Sequence, residues 1–349
     1  MDQLLEQAVK KGASDIHITV GVPPILRING GLVPTDHPSL TVDDTENFFM
    51  TISKPEQQVK FKQHGEIDFS FAIFGLSRFR VNAFRQRGSV AVVIRLVNEK
   101  VPTLEELGHP LVLKSLATQP RGLVLVTGPT GSGKSTTLAA MINLINQERC
   151  CHILTLEDPI EYLHKHKKSI VNQREMHADT QSFSIGLRAA LREDPDVILV
   201  GEMRDPETIA TAITAAETGH LVFATLHTGS APQTIDRIID SFPAHQQQQI
   251  RIQLSATLQG IIAQQLLPRV DQQGRIAAIE VLVATPAVRN IIREGKTHQL
   301  VSVIQTGAKF GMQPMDIALR DLYRRGAISY DEAMMHASDV EAFTRLIYG

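Results

Sequence analysis

Residues 128–135 read GPTGSGKS, with two glycines, a lysine and a serine at a fixed spacing. The apolar run GLVLVT at 122–127 precedes this segment, and a stretch with apolar residues at helical spacing follows it. The pattern predicts a buried strand, a glycine-rich turn and a helix in that order. Such a turn holds phosphate against backbone N–H groups at the positive end of the helix. The chain is therefore expected to build a sheet of the α/β type and to bind a nucleoside triphosphate.

The predicted phosphate loop assigns a role to each of its residues. Four successive backbone N–H groups are expected to surround the β-phosphate. Lys134 adds positive charge at the β- and γ-phosphates, and the hydroxyl of Ser135 is a ligand for Mg²⁺. ATP and Mg²⁺ are thus the predicted cofactors. The residues assigned to the nucleotide are Gly128, Pro129, Thr130, Gly131, Ser132, Gly133, Lys134, Ser135 and Thr136.

Length, charge and cysteine content limit the class of protein and its cellular location. A length of 349 residues indicates two domains or three small ones, and a net charge of -2 gives no general attraction to nucleic acid or to an anionic membrane. The two cysteines, Cys150 and Cys151, are sequence neighbours, which suits neither a disulfide framework nor a four-cysteine zinc site. Neither a signal peptide nor an apolar stretch of membrane-spanning length is evident. A cytoplasmic protein is expected.

The first hundred residues differ in pattern from the rest. Apolar residues alternate with polar ones in 67–73, 79–83 and 90–96, which predicts antiparallel strands. Asn29-Gly30-Gly31 is typical of a tight turn, and the apolar positions within 4–9 predict an opening helix. We expect a small α+β domain at 1–97. A linker at 98–110, rich in proline and glycine, then leads to a larger domain at 111–349 and could act as a hinge.

Beyond the linker, apolar runs alternate with helical segments. The predicted strands are 122–127, 152–157, 197–202, 221–227 and 277–283. This alternation predicts a parallel sheet covered by helices. Nucleotides bind such sheets at the carboxyl ends of the strands, where this chain places Glu157, Glu202 and His227.

Three polar groups at these strand ends are candidates for chemistry. Glu202 is placed to orient or deprotonate a water for attack on the γ-phosphate, the alternative being a surface glutamate in a loop. Glu157, Asp158 and Glu161 form an acidic cluster that could hold Mg²⁺ through water, or could complement a helix dipole. His227 could contact the γ-phosphate or the attacking water, or could be a structural histidine.

No arginine lies in the phosphate loop, but arginines that stabilise the phosphate charge could come from elsewhere. Arg78 and Arg80 share one face of a strand, which could also be an ordinary exposed face. Arg95 interrupts the apolar run 90–97, so it is expected to be buried and to need an anionic partner. A triphosphate held by a neighbouring subunit is one such partner.

The motifs together resemble one family, the secretion-superfamily ATPases, and within it the subgroup that retracts type IV pili. The resemblance covers nearly the whole chain, in the expected order. It is carried by ASDIHI at 13–18, RFRVNAF at 78–84, GPTGSGKSTT at 128–137, TLEDPIEY at 155–162, LREDPDVILVGEMRD at 191–205, AAETGHLVFATLHT at 215–228 and AVRNIIRE at 287–294.

The resemblance implies an α/β chain with a RecA-like P-loop NTPase domain and a smaller N-terminal PAS-like α+β domain, assembled as a hexameric ring. It implies that Glu202 is the catalytic glutamate, Glu161 an acidic-box carboxylate, His227 the histidine-box residue, and Arg80 and Arg95 interdomain arginines near ATP. The implied function is an ATP-hydrolysing motor for pilus retraction and twitching motility. The implied partners are an inner-membrane platform protein, contacted at its cytoplasmic face, and a paralogous retraction ATPase.

Two points bear on this interpretation. Val288 and Ile292 depart from the usual residues of the retraction motif, but both are apolar, so the apolar face of the helix is kept.

The alternative functions are a RecA-like nucleic-acid translocase and a non-catalytic ATP-binding subunit. The first is disfavoured by the absence of Trp and by only 5% aromatic residues, which leave few stacking platforms, so no nucleic-acid partner is expected.

Overall fold

The computed structural model describes residues 2–28, 30–73, 75–97, 100–271 and 274–348. The chain folds into two compact units. Unit one comprises Met1–Lys100 together with Glu161–Leu163. Unit two comprises Val101–Ile160 and His164–Gly349. The chain is therefore of the mixed α/β type, with a separate sheet in each unit.

Unit one is built on an antiparallel sheet with the strand order β3-β2-β1-β6-β5-β4. Its elements are α1 (Asp2–Lys10), β1 (Asp15–Ile18), β2 (Ile25–Ile28), β3 (Gly31–Pro34), α2 (Val42–Ile52), α3 (Pro55–His64), β4 (Glu66–Ile73), β5 (Ser77–Gln86) and β6 (Ser89–Leu96). The antiparallel strands and the opening helix predicted from the sequence are confirmed. The turn predicted at Asn29-Gly30-Gly31 includes Asn29, which lies outside the described residues.

The alternation in β5 separates a core face from a polar face. Phe79 and Val81 are fully buried, whereas Arg78 is half-buried and Arg80 is exposed. Successive side chains of a strand point to opposite faces, so the two arginines share the face away from the core. The pattern that predicted the strand thus also predicted which of its faces is polar.

Unit two is built on a sheet with the strand order β13-β12-β7-β11-β10-β8-β9. Its elements are α4 (Val112–Ala117), β7 (Gly122–Thr127), α5 (Lys134–Glu148), β8 (His152–Glu157), β9 (Ile170–Glu175), α6 (Phe183–Ala190), β10 (Val197–Val200), α7 (Pro206–Glu217), β11 (Leu221–Leu226), α8 (Ala231–Asp240), α9 (Ala244–Thr257), β12 (Leu258–Pro268), β13 (Arg275–Val283), α10 (Pro286–Glu294), α11 (Leu300–Thr306), α12 (Met315–Arg324), α13 (Tyr330–His336) and α14 (Val340–Tyr348). Short 3₁₀ turns occur at Thr297–Gln299 and Ala308–Phe310.

This sheet is parallel, as predicted, from β12 to the edge strand β9, but the strand at its other edge is antiparallel. β7, β8, β10, β11 and β12 run parallel, whereas β13 pairs with β12 in the antiparallel sense. The prediction that segment 277–283 joins a parallel sheet is therefore wrong. The connection from β12 to β13 spans only 269–274, and a parallel crossover needs a dozen or more residues. Strands β9 and β12 were not predicted.

The linker predicted at 98–110 contains two residues, Asn98 and Glu99, that lie outside the described part. Its remainder, from Lys100 onward, forms neither a helix nor a strand. Leu104 is buried, and it packs in the core of unit two with Leu113 and Met141. Among the described residues, no helix combines the length and the apolar character that crossing a bilayer requires.

Candidate nucleotide-binding site

The predicted phosphate loop lies between β7 and α5. Gly128, Gly131 and Gly133 have φ angles of 143°, 80° and 87°, which side-chain-bearing residues rarely adopt. A Cβ on Gly128 would lie 2.2 Å from the carbonyl oxygen of Gln264. A Cβ on Gly133 would lie 2.8 Å from Nε2 of the same glutamine. The loop therefore needs glycine at these positions both for its backbone conformation and for its close approach to β12.

Lys134 begins α5 and turns its side chain back over the loop. Its Nζ donates to the carbonyl oxygens of Gly128, at 2.8 Å, and Pro129, at 3.0 Å. Only 9% of the residue is exposed. The lysine charge is thus held at the loop, in the region that the sequence assigned to phosphate.

A buried hydroxyl in the loop is a further indication that it holds a phosphate group. Ser132 is 2% exposed, and its Oγ has no hydrogen-bond partner in the described part of the chain. A buried polar atom of this kind calls for a ligand or water to satisfy it. Pro129, Thr130 and Gly131 form the exposed rim, while Ser135 and Thr136 are half-buried at the helix start.

Glu202 and His227 lie together at the carboxyl edge of the sheet. Glu202 follows β10, which ends at Val200, and His227 directly follows β11. His227 Nε2 lies 2.9 Å from Glu202 Oε1. Because Leu226 pairs with Thr127, the last residue of β7, His227 and the phosphate loop leave the sheet at the same level.

A second cation, Arg204, contacts the same carboxylate. Its Nε lies 2.6 Å from Glu202 Oε1, while most of the arginine side chain is exposed. Burial opposes ionisation of Glu202, but its contacts with Arg204 and His227 outweigh this and hold its pKa below the ordinary value. Glu202 is therefore an ionised carboxylate at neutral pH, as a proton acceptor must be.

The three residues of the predicted acidic cluster have different surroundings. Glu157 ends β8 and is fixed by two donors to its Oε1, Thr155 Oγ1 at 2.7 Å and Gln173 Nε2 at 3.0 Å. Asp158 is exposed, and its charge helps to raise the pKa of Arg204. Glu161 is exposed and belongs to the short segment that groups with unit one.

The predicted arginines Arg80 and Arg95 lie in unit one. Five residues pair from strand to strand across the polar face of its sheet, in the order Arg27, Asp15, Arg95, Arg80 and Ser70. The prediction that Arg95 is buried is wrong, because 66% of its side chain is exposed. It does have an anionic partner within its own unit, since its Nε donates to Asp15 Oδ1 at 2.8 Å. Asp15 itself is buried, and the arginine keeps it ionised.

Among the described residues, no cluster of three or more His, Cys, Asp or Glu side chains is arranged to hold a metal. Mg²⁺ commonly takes only one or two protein oxygens and completes its shell with phosphate and water. Ser135 and Glu157 of unit two are oxygen donors of that kind.

Sequence reasoning missed several residues of the site. Arg204 was not singled out, although it stands two residues after Glu202. Gln264, Thr137 and His109 were also missed, yet they form hydrogen bonds directly behind the phosphate loop. The only sequence signal for Gln264 was the polar pair that it forms with Gln265 inside an otherwise apolar stretch.

Comparisons with known proteins agree with this geometry. The family model described as "Type II/IV secretion system protein" matches residues 1–318. The "Type IV pilus retractation ATPase PilT" of Pseudomonas aeruginosa is 51% identical over 98% of this chain and 99% of its own length. The "Type IV pilus ATPase PilU" of the same organism is 44% identical over 99% of this chain and 91% of its own length. A crystal structure of the pilus retraction motor PilT with bound ADP has a TM-score of 0.91 at 50% identity, over 98% of both chains.

The fold and the site thus define a mixed α/β protein with a phosphate loop and an ionised carboxylate at the edge of its sheet. The chain belongs to the family of Type II/IV secretion system proteins. The resemblance to the secretion-superfamily ATPases that the motifs predicted is confirmed.

Proposed function

We propose that this chain is an ATP-hydrolysing motor that powers type IV pilus retraction. The observation that carries the proposal is the contact of Glu202 with His227 at the sheet edge where the phosphate loop begins. Identity of 51% to a pilus retraction ATPase over nearly the whole chain supports the biological assignment.

The reaction is hydrolysis of the bond between the β- and γ-phosphates. The loop N–H groups bind the β-phosphate, and Lys134 stabilises the charge that develops on the β–γ bridging oxygen. Glu202, ionised at neutral pH, orients a water and accepts its proton as the water oxygen attacks the γ-phosphorus. The bridging oxygen leaves with ADP, and inorganic phosphate is released. His227 contacts the same carboxylate, which supports a role for this histidine in responding to the departure of the γ-phosphate.

Mg²⁺ would neutralise charge on the phosphate oxygens when bound. Ser135 would hold it through its hydroxyl, with Glu157 and Glu161 acting through water. Thr155 and Gln173 donate to Glu157 Oε1 and hold its carboxylate at the end of β8, which supports this proposal.

The wider architecture follows from the same assignment. We assign residues 1–97 to a PAS-like domain, 98–110 to a hinge linker and 111–349 to a RecA-like ATPase domain. Arg80 and Arg95 bring positive charge to the nucleotide during the cycle, and six copies form a ring. In such a ring, arginines outside the phosphate loop couple hydrolysis to subunit movement.

The motor acts at the cytoplasmic face of the inner membrane on the pilus platform protein. The similarity to both PilT and PilU of a single organism supports cooperation with a paralogous ATPase.

The test is to image labelled pili on cells that lack this gene and carry either the normal chain or Glu202→Gln. We expect cells with Glu202→Gln to carry abundant pili that do not withdraw. Only the normal chain should restore withdrawal. Cells without pili would assign the chain to assembly instead. Normal pilus dynamics without the gene would remove the pilus function altogether.

A further inference from the structure

Two fully buried polar side chains lie behind the phosphate loop. Thr137 on α5 is 1% exposed, and Gln264 on β12 is 2% exposed. Polar groups at such depth destabilise a fold unless they are hydrogen-bonded. Thr137 Oγ1 donates to Gln264 Oε1 at 2.8 Å, and Gln264 Nε2 donates to the carbonyl oxygen of Ser132 at 2.5 Å.

The direction of these hydrogen bonds is fixed by their last member. The carbonyl oxygen of Ser132 can only accept, so it must face the NH₂ group of Gln264. The amide oxygen then faces Thr137, whose hydroxyl donates its only hydrogen to it. The Thr137 oxygen is left to accept from His109 Nε2, which lies 2.9 Å away. The hydrogen bonds therefore run one way, from His109 through Thr137 and Gln264 to the loop.

Gln264 also contacts the loop directly. The positions of Gly128 and Gly133 leave no room for a Cβ beside Gln264, as measured above. The loop backbone thus rests on this residue at both ends, while the middle of the loop is held through Ser132. The contact at Gly128 is made by the Gln264 backbone, whereas those at Ser132 and Gly133 are made by its side chain. Moving that side chain would therefore move the Ser132 and Gly133 peptides, whose N–H groups face the phosphate.

We propose that His109, Thr137 and Gln264 are positioning residues for the phosphate loop, acting as a relay that fixes the Ser132 peptide for nucleotide binding. The inference rests on the proposed ATPase function and adds three residues to it. Burial lowers the pKa of His109 to about 4, so the ring is neutral at working pH. The relay therefore keeps one hydrogen-bonding pattern across the neutral range.

The relay acts on binding rather than on the chemical step. The loop N–H groups contact the β-phosphate, which is present in ATP, in the transition state and in ADP. Losing an interaction common to these states raises KM and leaves kcat nearly unchanged. The dissociation constant for ADP should rise by a similar factor.

The experiment compares paired variants by steady-state ATP hydrolysis and ADP binding, with thermal unfolding read in parallel. Thr137→Val removes the hydroxyl at constant shape, and Thr137→Ser restores it. His109→Leu removes the ring donor, and His109→Gln supplies an N–H in its place. Thr257→Val is the matched control, because Thr257 is also a buried threonine, and its hydroxyl donates only within α9, to Gln253.

We expect Thr137→Val and His109→Leu to raise KM for ATP and Kd for ADP about fivefold to tenfold, the effect of losing one buried hydrogen bond. Thr137→Ser, His109→Gln and Thr257→Val should stay within about twofold of the normal chain. Unchanged affinity in both removal variants, or equal losses in Thr137→Ser and Thr137→Val, would overturn the relay. A normal chain that binds ADP without hydrolysing ATP would instead overturn the proposed function.

Discussion

His227 Nε2 lies 2.9 Å from Glu202 Oε1, and Arg204 Nε lies 2.6 Å from the same oxygen. The carboxylate expected to accept the proton of water is therefore already paired with two nitrogen groups. Burial alone would raise the pKa of Glu202, but these contacts lower it below its ordinary value of 4.5. These neighbours favour the ionised form, which is present throughout the neutral range.

Arg204→Ala should move the acidic limb of the kcat/KM profile of ATP hydrolysis to higher pH. Without the guanidinium, the pKa of Glu202 rises, so the carboxylate is protonated at a pH where the normal chain is still active. The measurement is kcat/KM against pH for the variant, the normal chain and Arg237→Ala, which changes an exposed arginine of α8. An acidic limb at the same pH in all three would contradict the pairing.

Glu280 on β13 accepts from the backbone N–H groups of Ala231 and Met315, at the starts of α8 and α12, yet burial raises its pKa. Unfolding frees the carboxyl to ionise near its ordinary value of 4.5, while the folded chain keeps it protonated to higher pH. The stability that the protonated group contributes is complete below the ordinary pKa and is lost as pH rises through the raised one.

Relative to Glu280→Gln, the normal chain should therefore lose thermal stability as pH rises above the ordinary pKa of 4.5 and through the raised pKa of the folded chain. The difference in unfolding midpoint between the two proteins is the quantity to follow. Glu105→Gln, at an exposed position, serves as the control. A difference that stays constant across this range would show that Glu280 ionises alike in both states.

Gly128→Ala should cost far more activity than Gly274→Ala. Both residues have positive φ angles, 143° and 86°, so an alanine is strained by about 1–2 kcal/mol at either place. Only at Gly128 would the new Cβ also meet an atom, the Gln264 oxygen at 2.2 Å; at Gly274 no described atom lies within 4 Å.

We expect ATP hydrolysis to fall by more than about tenfold in Gly128→Ala and by less than about twofold in Gly274→Ala. Steady-state rates on the two purified variants decide the matter. Equal losses would mean that backbone strain, and not the contact with β12, limits this position.

Arg289, in the segment AVRNIIRE, caps the end of α9. Its Nη1 donates to the carbonyl oxygens of Ser255 and Ala256, both at 2.7 Å. Arg289→Ala leaves these carbonyls without that donor and should lower the free energy of unfolding by about 1–3 kcal/mol. Arg293→Ala, one turn along the same helix at an exposed position, should change it by less than about 0.5 kcal/mol. Urea denaturation of both variants measures the contrast, which vanishes if Arg289 acts only as a surface charge.

Much of the sheet could be predicted because its central strands are buried on both faces and read as nearly continuous apolar runs. β12 escaped this pattern since Gln264 and Gln265 interrupt it. The Gln264 side chain also donates to the phosphate loop, at the carbonyl oxygen of Ser132. The polar residue that made the strand hard to predict is therefore one that the site uses. With β12 unrecognised, the short connection that makes β13 antiparallel could not be seen.

The site could be predicted in its types of residue but not in its pairings. Glu202 and His227 both follow predicted strands of the sheet. That was enough to predict that they lie at the same edge, without any knowledge of side-chain geometry. The partner of Arg95 is Asp15, which is distant in sequence and comes close only because β1 pairs with β6. Pairings of this kind depend on strand register, which spacing along one segment does not contain.

The most direct test of the account is ATP turnover by Glu202→Gln, measured together with its affinity for ATP. Glutamine keeps the shape of the side chain but cannot accept a proton, so turnover should fall by about 10²- to 10⁴-fold while binding is retained. Glu148→Gln, at the far end of α5, should hydrolyse ATP normally. Unchanged turnover in Glu202→Gln would contradict the assignment of Glu202 as the group that activates water.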